Sequence, residues 1–247
     1  ACRLARPFGS RRVGYWTNCK SWMGDKMHAE HAPLWVKICG LVEPETAEAA
    51  AASGASAIGL NFYPPSKRSV SATQARMICE QAALGNGCLK IGLFVNASMA
   101  EVHTVLATVP LDALQFHGDE SSEYCRQFDL PVIKVIGVDT QTNVTQRMRA
   151  YPNIWSFLLD KHDAQQYGGT GKSFAWSQWP SEASQPLILA GGLNPTNVRG
   201  AVAQLEPFGV DASSGVEVAA ENERGFVKDP QLIEQFIQEA RCGRSER

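Results

Sequence analysis

Trp35-Val36-Lys37-Ile38-Cys39 runs into Gly40-Leu41-Val42-Glu43-Pro44. A short run this apolar fits a strand covered on both faces, and a proline is tolerated at a helix start, where its missing N–H would lack a partner anyway. The segment therefore reads as strand, tight turn and helix start. A doubly wound dinucleotide-binding sheet would carry G-x-G-x-x-G in this turn, so that a pyrophosphate could approach the backbone. The turn holds Gly40 and no second glycine, which argues against that architecture.

The same unit recurs outward from this stretch. Strand-like runs fall at 35–39, 57–62, 89–95, 113–116, 132–138, 155–159, 187–190 and 210–212. Helix-like stretches follow them at 44–53, 71–84, 98–109, 121–128, 140–150, a very short piece near Trp176, 195–205 and 230–241. Several helix ends carry a physical signal. Ser98 with Glu101 reads as a capping box, each side chain satisfying an orphan N–H. Asn194-Pro195 and Asp229-Pro230 place a capping side chain before a first-turn proline. Gly54 sits where a helix C-terminus needs a left-handed residue. Strict alternation implies parallel strands joined by right-handed crossovers, and eight such units close into a single (β/α)8 TIM barrel over residues 34–244. An open doubly wound sheet is the alternative.

Composition agrees with one soluble α/β domain. The chain has 247 residues, 44% hydrophobic and 19% charged, with 23 basic and 25 acidic residues for a net charge of −2. A dedicated nucleic-acid binder would show a basic excess, and no run approaches the roughly 18 apolar residues of a membrane span. Neither nucleic acid nor membrane is an expected partner. The seven cysteines, Cys2, Cys19, Cys39, Cys79, Cys88, Cys125 and Cys242, include no C-x-x-C pair. That speaks against a structural zinc site and for a reducing, cytoplasmic compartment. Residues 1–33 differ: Arg3, Arg6, Arg11, Arg12 and Lys20 precede the first acid, Asp25, and hydrophobic periodicity is missing. This segment is expected to lie outside the fold, as an unstructured or mis-annotated leader with initiation at Met23 or Met27, in preference to a transit peptide.

Barrel chemistry gathers at the C-terminal strand ends. Those ends carry Lys37 and Cys39, Asn61 with the loop to Arg68, Asn96, His117, Asp139, Asp160, Gly191-Gly192 and Asp211–Gly215. Glycines after strands seven and eight let the backbone close on an anion, the usual phosphate seat of this fold. A lone cysteine ending a strand is more often a buried small hydrophobe; as a base it would need positive neighbours, and Lys37 shares its strand face. Asp160 ends an apolar run with no helix close behind for it to cap. A base and an acid across one mouth suit proton transfer at adjacent atoms of a sugar phosphate. Gly168-Gly169-Thr170-Gly171-Lys172-Ser173 imitates a P-loop, but Gln166 stands where that motif needs glycine. Those glycines are expected to form a lid instead.

Val36-Lys37-Ile38-Cys39-Gly40, Gln115-Phe116-His117-Gly118-Asp119-Glu120, Leu158-Leu159-Asp160, Gly168-Gly169-Thr170-Gly171-Lys172, Ala190-Gly191-Gly192-Leu193-Asn194-Pro195 and Ser213-Ser214-Gly215-Val216-Glu217 resemble, in that order, the motifs of phosphoribosylanthranilate isomerases. The likeness spans about residues 34–241, and the family fold is the same barrel. It implies an Amadori rearrangement of N-(5-phosphoribosyl)anthranilate in tryptophan biosynthesis, without metal or redox cofactor. By resemblance Asp160 takes the place of the general acid and Cys39 that of the general base. Arg68 would meet the anthranilate carboxylate, His117 would line the pocket and Asp211 would hold a sugar hydroxyl. Phosphate would rest on Gly191, Gly192, Ser214 and Gly215. These roles call for an Asp160 pKa raised by burial and a Cys39 pKa lowered by its surroundings. Departures are Ala175 where the family often has aspartate, Ala212 before the serines, and a lengthened stretch 218–227. Monomer and homodimer stay open.

Two other readings share the phosphate seat. An indole-3-glycerol-phosphate synthase would want catalytic lysine and glutamate at strand ends, for which Lys37 and Lys134 are available, and a sugar-phosphate epimerase would want metal ligands. A barrel that only binds a phosphorylated ligand would not need Cys39 and Asp160 together.

Overall fold

The computed structural model describes residues 33–85, 87–161 and 176–245. Eight parallel strands close into a barrel in chain order: β1 (Trp35–Cys39), β2 (Ala57–Asn61), β3 (Leu89–Phe94), β4 (Ala113–Phe116), β5 (Val132–Val138), β6 (Ser156–Lys161), β7 (Leu187–Leu189) and β8 (Gly209–Ala212), with β8 pairing back onto β1. Helices α1 (Pro44–Ala52), α2 (Ala72–Gln81), α3 (Met99–Leu106), α4 (Ser122–Cys125), α5 (Val144–Arg149), α6 (Val198–Leu205) and α7 (Pro230–Ser245) form the outer layer. All but the last residue of the leader 1–33 lie outside the described residues, as do the glycines of 168–173 expected to form a lid and Ala175.

Period-two alternation sorts each strand into two cores. Trp35, Ala57, Ile91, Ala113, Ile133, Val135, Leu158, Ile188 and Ala190 fill the barrel interior. Their neighbours, such as Val36, Ile38, Ile58, Phe116, Phe157, Leu189 and Val210, pack outward against the helices. Both faces are buried, which is why the strands read as unbroken apolar runs. Trp35 closes the floor, 6.1 Å from the Trp155 ring and 6.2 Å from Phe208. Among the helices, α7 buries Ile233, Phe236, Ile237 and Ala240, an i, i+3, i+4, i+7 stripe. Each large side chain in that stripe contributes about 1.5–3 kcal/mol of burial.

The helix signals held in part. Ser98 and Glu101 form the capping box, Gly54 has φ +93° just past α1, and Asp229 Oδ1 accepts from the Gln231 and Leu232 N–H groups. Asn194 does not cap a helix at Pro195: its Oδ1 accepts from Thr196 N in a local turn, and α6 begins at Val198. That spare turn leaves irregular backbone between β7 and α6. β6 runs two residues past its apolar core, so Asp160 lies inside a strand rather than after it. Between β6 and β7 the described residues hold a single 3-10 turn, Trp176–Gln178, the very short piece expected there. A hairpin absent from the sequence reading follows β8: β9 (Glu217–Ala219) pairs antiparallel with β10 (Phe226–Lys228).

Candidate active site

Inward parity places Lys37 and Cys39 above Trp35 on β1, and Asp160 above Leu158 on β6. His117 continues the inward row of Ala113 and Gln115 as β4 ends. Lys37 and Asp211 are register partners across β1 and β8, and the Lys37 ammonium donates to Asp211 Oδ1 at 2.9 Å. Cys39 pairs in register with Gly59 of β2, where a Cβ would come within 2.8 Å of the Cys39 sulfur and 3.1 Å of Lys37 Cε. A side chain at Gly59 would therefore fill the space that these two groups occupy.

Electrostatics divides the two expected proton carriers. Burial drives the Asp160 pKa up to about 7, working against the Lys161 N–H that its Oδ1 accepts at 2.7 Å, with Asp211 adding to the rise. The direction is the one a general acid at this position calls for. Cys39 goes the other way from the expected lowering. At 5% exposure, burial pushes its thiol above the ordinary value of 9.0, and the nearby Lys37 and Lys228 ammoniums only offset this. Desolvation penalises the thiolate more than two cations at this geometry favour it. Lys37 and Asp211 act electrostatically on both Cys39 and Asp160, so the four groups share one basin. Burial also disfavours the Lys37 ammonium, but Asp211 and Cys39 outweigh it and hold its pKa above the usual lysine value.

His117 lies with Nε2 3.7 Å from Asp160 Oδ2, beyond hydrogen-bond range. Burial, helped by Lys134 and Lys37, lowers its pKa to about 3, so it is a neutral imidazole beside the acid. Its loop is clamped from behind. Glu120 accepts from Asn96 N at 2.8 Å, and Lys134 donates to Gly118 O at 2.6 Å and to Glu120 Oε2 at 3.1 Å. Lys134 thus faces the helix layer and not the mouth, which takes it away from the synthase reading.

Arg68 is not waiting with an open fork. Its Nε and Nη2 donate to the two carboxylate oxygens of Glu217, both at 2.7 Å, and its stem lies against Gly40, where a Cβ would sit 2.6 Å from Arg68 Cδ. Asp211, expected to receive a sugar hydroxyl, already accepts from Lys37 through one oxygen. Glu217 and Lys228 were missed as site residues. Glu217 closed a quoted motif and Lys228 stood in none; only the hairpin pairing brings them together behind Arg68.

The two glycine loops meet as expected. Gly191 and Gly192 have φ of +81° and +69°, a conformation costly for any residue with a Cβ. A Cβ on Gly191 would sit 2.9 Å from Asp160 Oδ1, so this loop abuts the acid directly. Gly215 packs onto the Leu193 carbonyl, within a 3-10 turn Ser214–Val216, leaving no room for a side chain. Asn197 Nδ2 donates to Gly192 O at 3.0 Å and fixes the first loop. Among the described residues no group of three His, Cys, Asp or Glu is placed to hold a metal ion. No described helix is long and apolar enough to cross a membrane.

Comparison with known proteins bears on the same barrel. The family model described as N-(5'phosphoribosyl)anthranilate (PRA) isomerase matches residues 36–239. An N-(5'-phosphoribosyl)anthranilate isomerase from Hahella chejuensis is 45% identical over 213 residues, covering 86% of this chain and 97% of its own. One from Cellvibrio japonicus is 47% identical over 206 residues, covering 83% of this chain and 92% of its own. Among solved structures, the phosphoribosyl anthranilate isomerase of Thermotoga maritima superposes with a TM-score of 0.73 at 38% identity, covering 84% of this chain and 98% of that one. A phosphoribosyl anthranilate isomerase in complex with reduced 1-(o-carboxyphenylamino)-1-deoxyribulose 5-phosphate superposes at 0.67, with 36% identity and the same coverage of both chains. The chain belongs to the N-(5'-phosphoribosyl)anthranilate isomerase family.

Proposed function

We propose that this chain performs the reaction of its family, converting N-(5-phosphoribosyl)anthranilate to 1-(2-carboxyphenylamino)-1-deoxyribulose 5-phosphate in tryptophan biosynthesis, with Asp160 as acid and Cys39 as base. The observation that carries this division of labour is a carboxyl group kept protonated to near neutrality inside the same basin as a thiol. Asp160 gives its proton to the ribose ring oxygen as the C1–O bond breaks, and the anthranilate nitrogen lone pair forms the iminium. The Cys39 thiolate then removes the C2 proton, and the C–H electrons form the enolamine C=C as the iminium nitrogen is neutralised. Tautomerisation to the ketone completes the rearrangement. All transfers are of protons, so the balance calls for no oxidant or reductant.

The remaining parts fit around this axis. The phosphate is assigned to the Gly191–Gly192 turn and to Ser214 and Gly215, whose backbone can approach an anion closely. Asp211, steadied by Lys37, is assigned a sugar hydroxyl, neutral His117 the pocket wall beside Asp160, and Arg68 the anthranilate carboxylate. The isomerase unit is 34–244, and the setting is the cytoplasm, where Cys39 stays a thiol. The test is turnover of N-(5-phosphoribosyl)anthranilate followed by its fluorescence, with rescue of a tryptophan auxotroph lacking this step. Cys39→Ala and Asp160→Asn should each lose on the order of 10²–10⁴ in rate, as expected for general acid–base groups. Near-normal turnover in either variant removes that residue from the mechanism.

A further inference from the structure

The hairpin after β8 places Lys228 opposite Glu217 in register. Glu217 Oε1 accepts from both Arg68 Nε and Lys228 Nζ at 2.7 Å, while Oε2 takes Arg68 Nη2. The three side chains are shielded: Lys228 is 1% exposed, Glu217 9% and Arg68 15%. Lys228 also donates to the Ser213 carbonyl at 2.8 Å, and the Ser213 hydroxyl donates to the Cys39 carbonyl at 3.2 Å. At the far end of the hairpin, Arg224 Nη1 donates to the carbonyls of Lys67 at 2.6 Å and Ser69 at 3.0 Å, the residues flanking Arg68. Phe226 of β10 lies 5.2 Å from the guanidinium carbon.

Arg68 is therefore oriented by a separate structural unit. A guanidinium offers five N–H donors in one plane, and the fork to Glu217 takes one edge, leaving the Nη1 end for another acceptor. Two cations against one carboxylate leave a surplus positive charge in a poorly solvated place. A single incoming carboxylate completes such a cluster, since buried charges are tolerated when paired.

We propose that Glu217 and Lys228 are positioning residues that, with the β9–β10 hairpin, fix Arg68 so that its open edge selects substrates bearing an aromatic carboxylate. This rests on Arg68 being the partner of that carboxylate. The hairpin, and not Arg68 alone, is then the specificity device.

The experiment compares kcat/KM for N-(5-phosphoribosyl)anthranilate with that for N-(5-phosphoribosyl)aniline, which lacks the carboxylate. The wild type and the variants Arg68→Met, Glu217→Gln, Lys228→Met and Arg224→Ala are measured. Any influence of Lys228 on Cys39 is common to both substrates and cancels in the ratio. Wild type should prefer the carboxylate on the order of a hundredfold, and Arg68→Met should abolish that preference. Glu217→Gln and Lys228→Met should reduce it about tenfold or more, chiefly through KM of the anthranilate substrate. Loss in Arg68→Met with full preference in both Glu217→Gln and Lys228→Met overturns the proposal. Retained preference in Arg68→Met instead overturns the reading of Arg68. Should the buried variants fail to fold, Arg224→Ala carries the test, because it alters only the hairpin tip: a wild-type ratio there overturns the proposal, and a reduced one supports it.

Discussion

Titrating the enzyme from pH 5 to 11 should give a rate profile whose limbs are reversed relative to the roles of the residues. The productive form needs Asp160 protonated and Cys39 ionised. Burial holds Asp160 up to about 7 and Cys39 above 9.0, so the first proton to leave comes from the acid and not from the base. The productive form nevertheless carries the same number of protons as the dominant Asp160-carboxylate, Cys39-thiol form, and the two rise and fall together. The profile of kcat/KM is therefore expected to rise through about 7, level off, and fall above 9.0 as the second proton is lost. A gap of at least two units leaves at most about one molecule in a hundred in the productive form. The substrate phosphate, with its second ionisation near pH 6, titrates below both limbs. Asp160→Asn separates the groups: its residual activity depends on Cys39 alone and should rise only above 9.0, the limb near 7 having vanished. Site-resolved alkylation by mass spectrometry reads Cys39 directly, apart from Cys79 and the exposed Cys242. A Cys39 thiol that titrates below 7, or a wild-type rate that falls through 7, would refute the reasoning.

Two further expectations concern stability. The folded state binds the Asp160 proton more tightly than the unfolded chain, so the stability it contributes is complete below 3.8 and is lost as pH rises to about 7. Asp160→Asn should then be more stable than wild type at pH 8 by an amount of order 4 kcal/mol, with the gap closing below pH 4; urea midpoints that do not converge at low pH would contradict this. Lys37→Met leaves the Asp211 carboxylate buried without the ammonium now 2.9 Å away. The expected loss is about 3–5 kcal/mol, with most of it recovered in Lys37→Met/Asp211→Leu; a double variant no more stable than the single one would show that the pair is not the cause.

The barrel was legible in the chain because its signals are local. Strands buried on both faces announce themselves as short apolar runs, Ser98 with Glu101 and Asp229 with Pro230 mark helix starts by hydrogen bonds within four residues, and the ordered motifs from Val36 to Glu217 carried the resemblance. The same locality placed Cys39, His117, Asp160 and the two glycine loops at one end, since strand direction alone puts them there.

Charge and pairing were decided elsewhere. No spacing in the chain announces that Lys37 meets Asp211 across 174 residues, or that Arg68 is gripped by Glu217 across 149. The three-residue strands β9 and β10 are too short to show a period, so the hairpin that joins Glu217 to Lys228 exists only as a tertiary object. The Cys39 thiol was expected to be lowered by its lysine neighbour. Proximity along the strand was right, but a pKa is the difference between attraction and lost solvation, and solvation is a property of how completely the closed barrel removes water from the group.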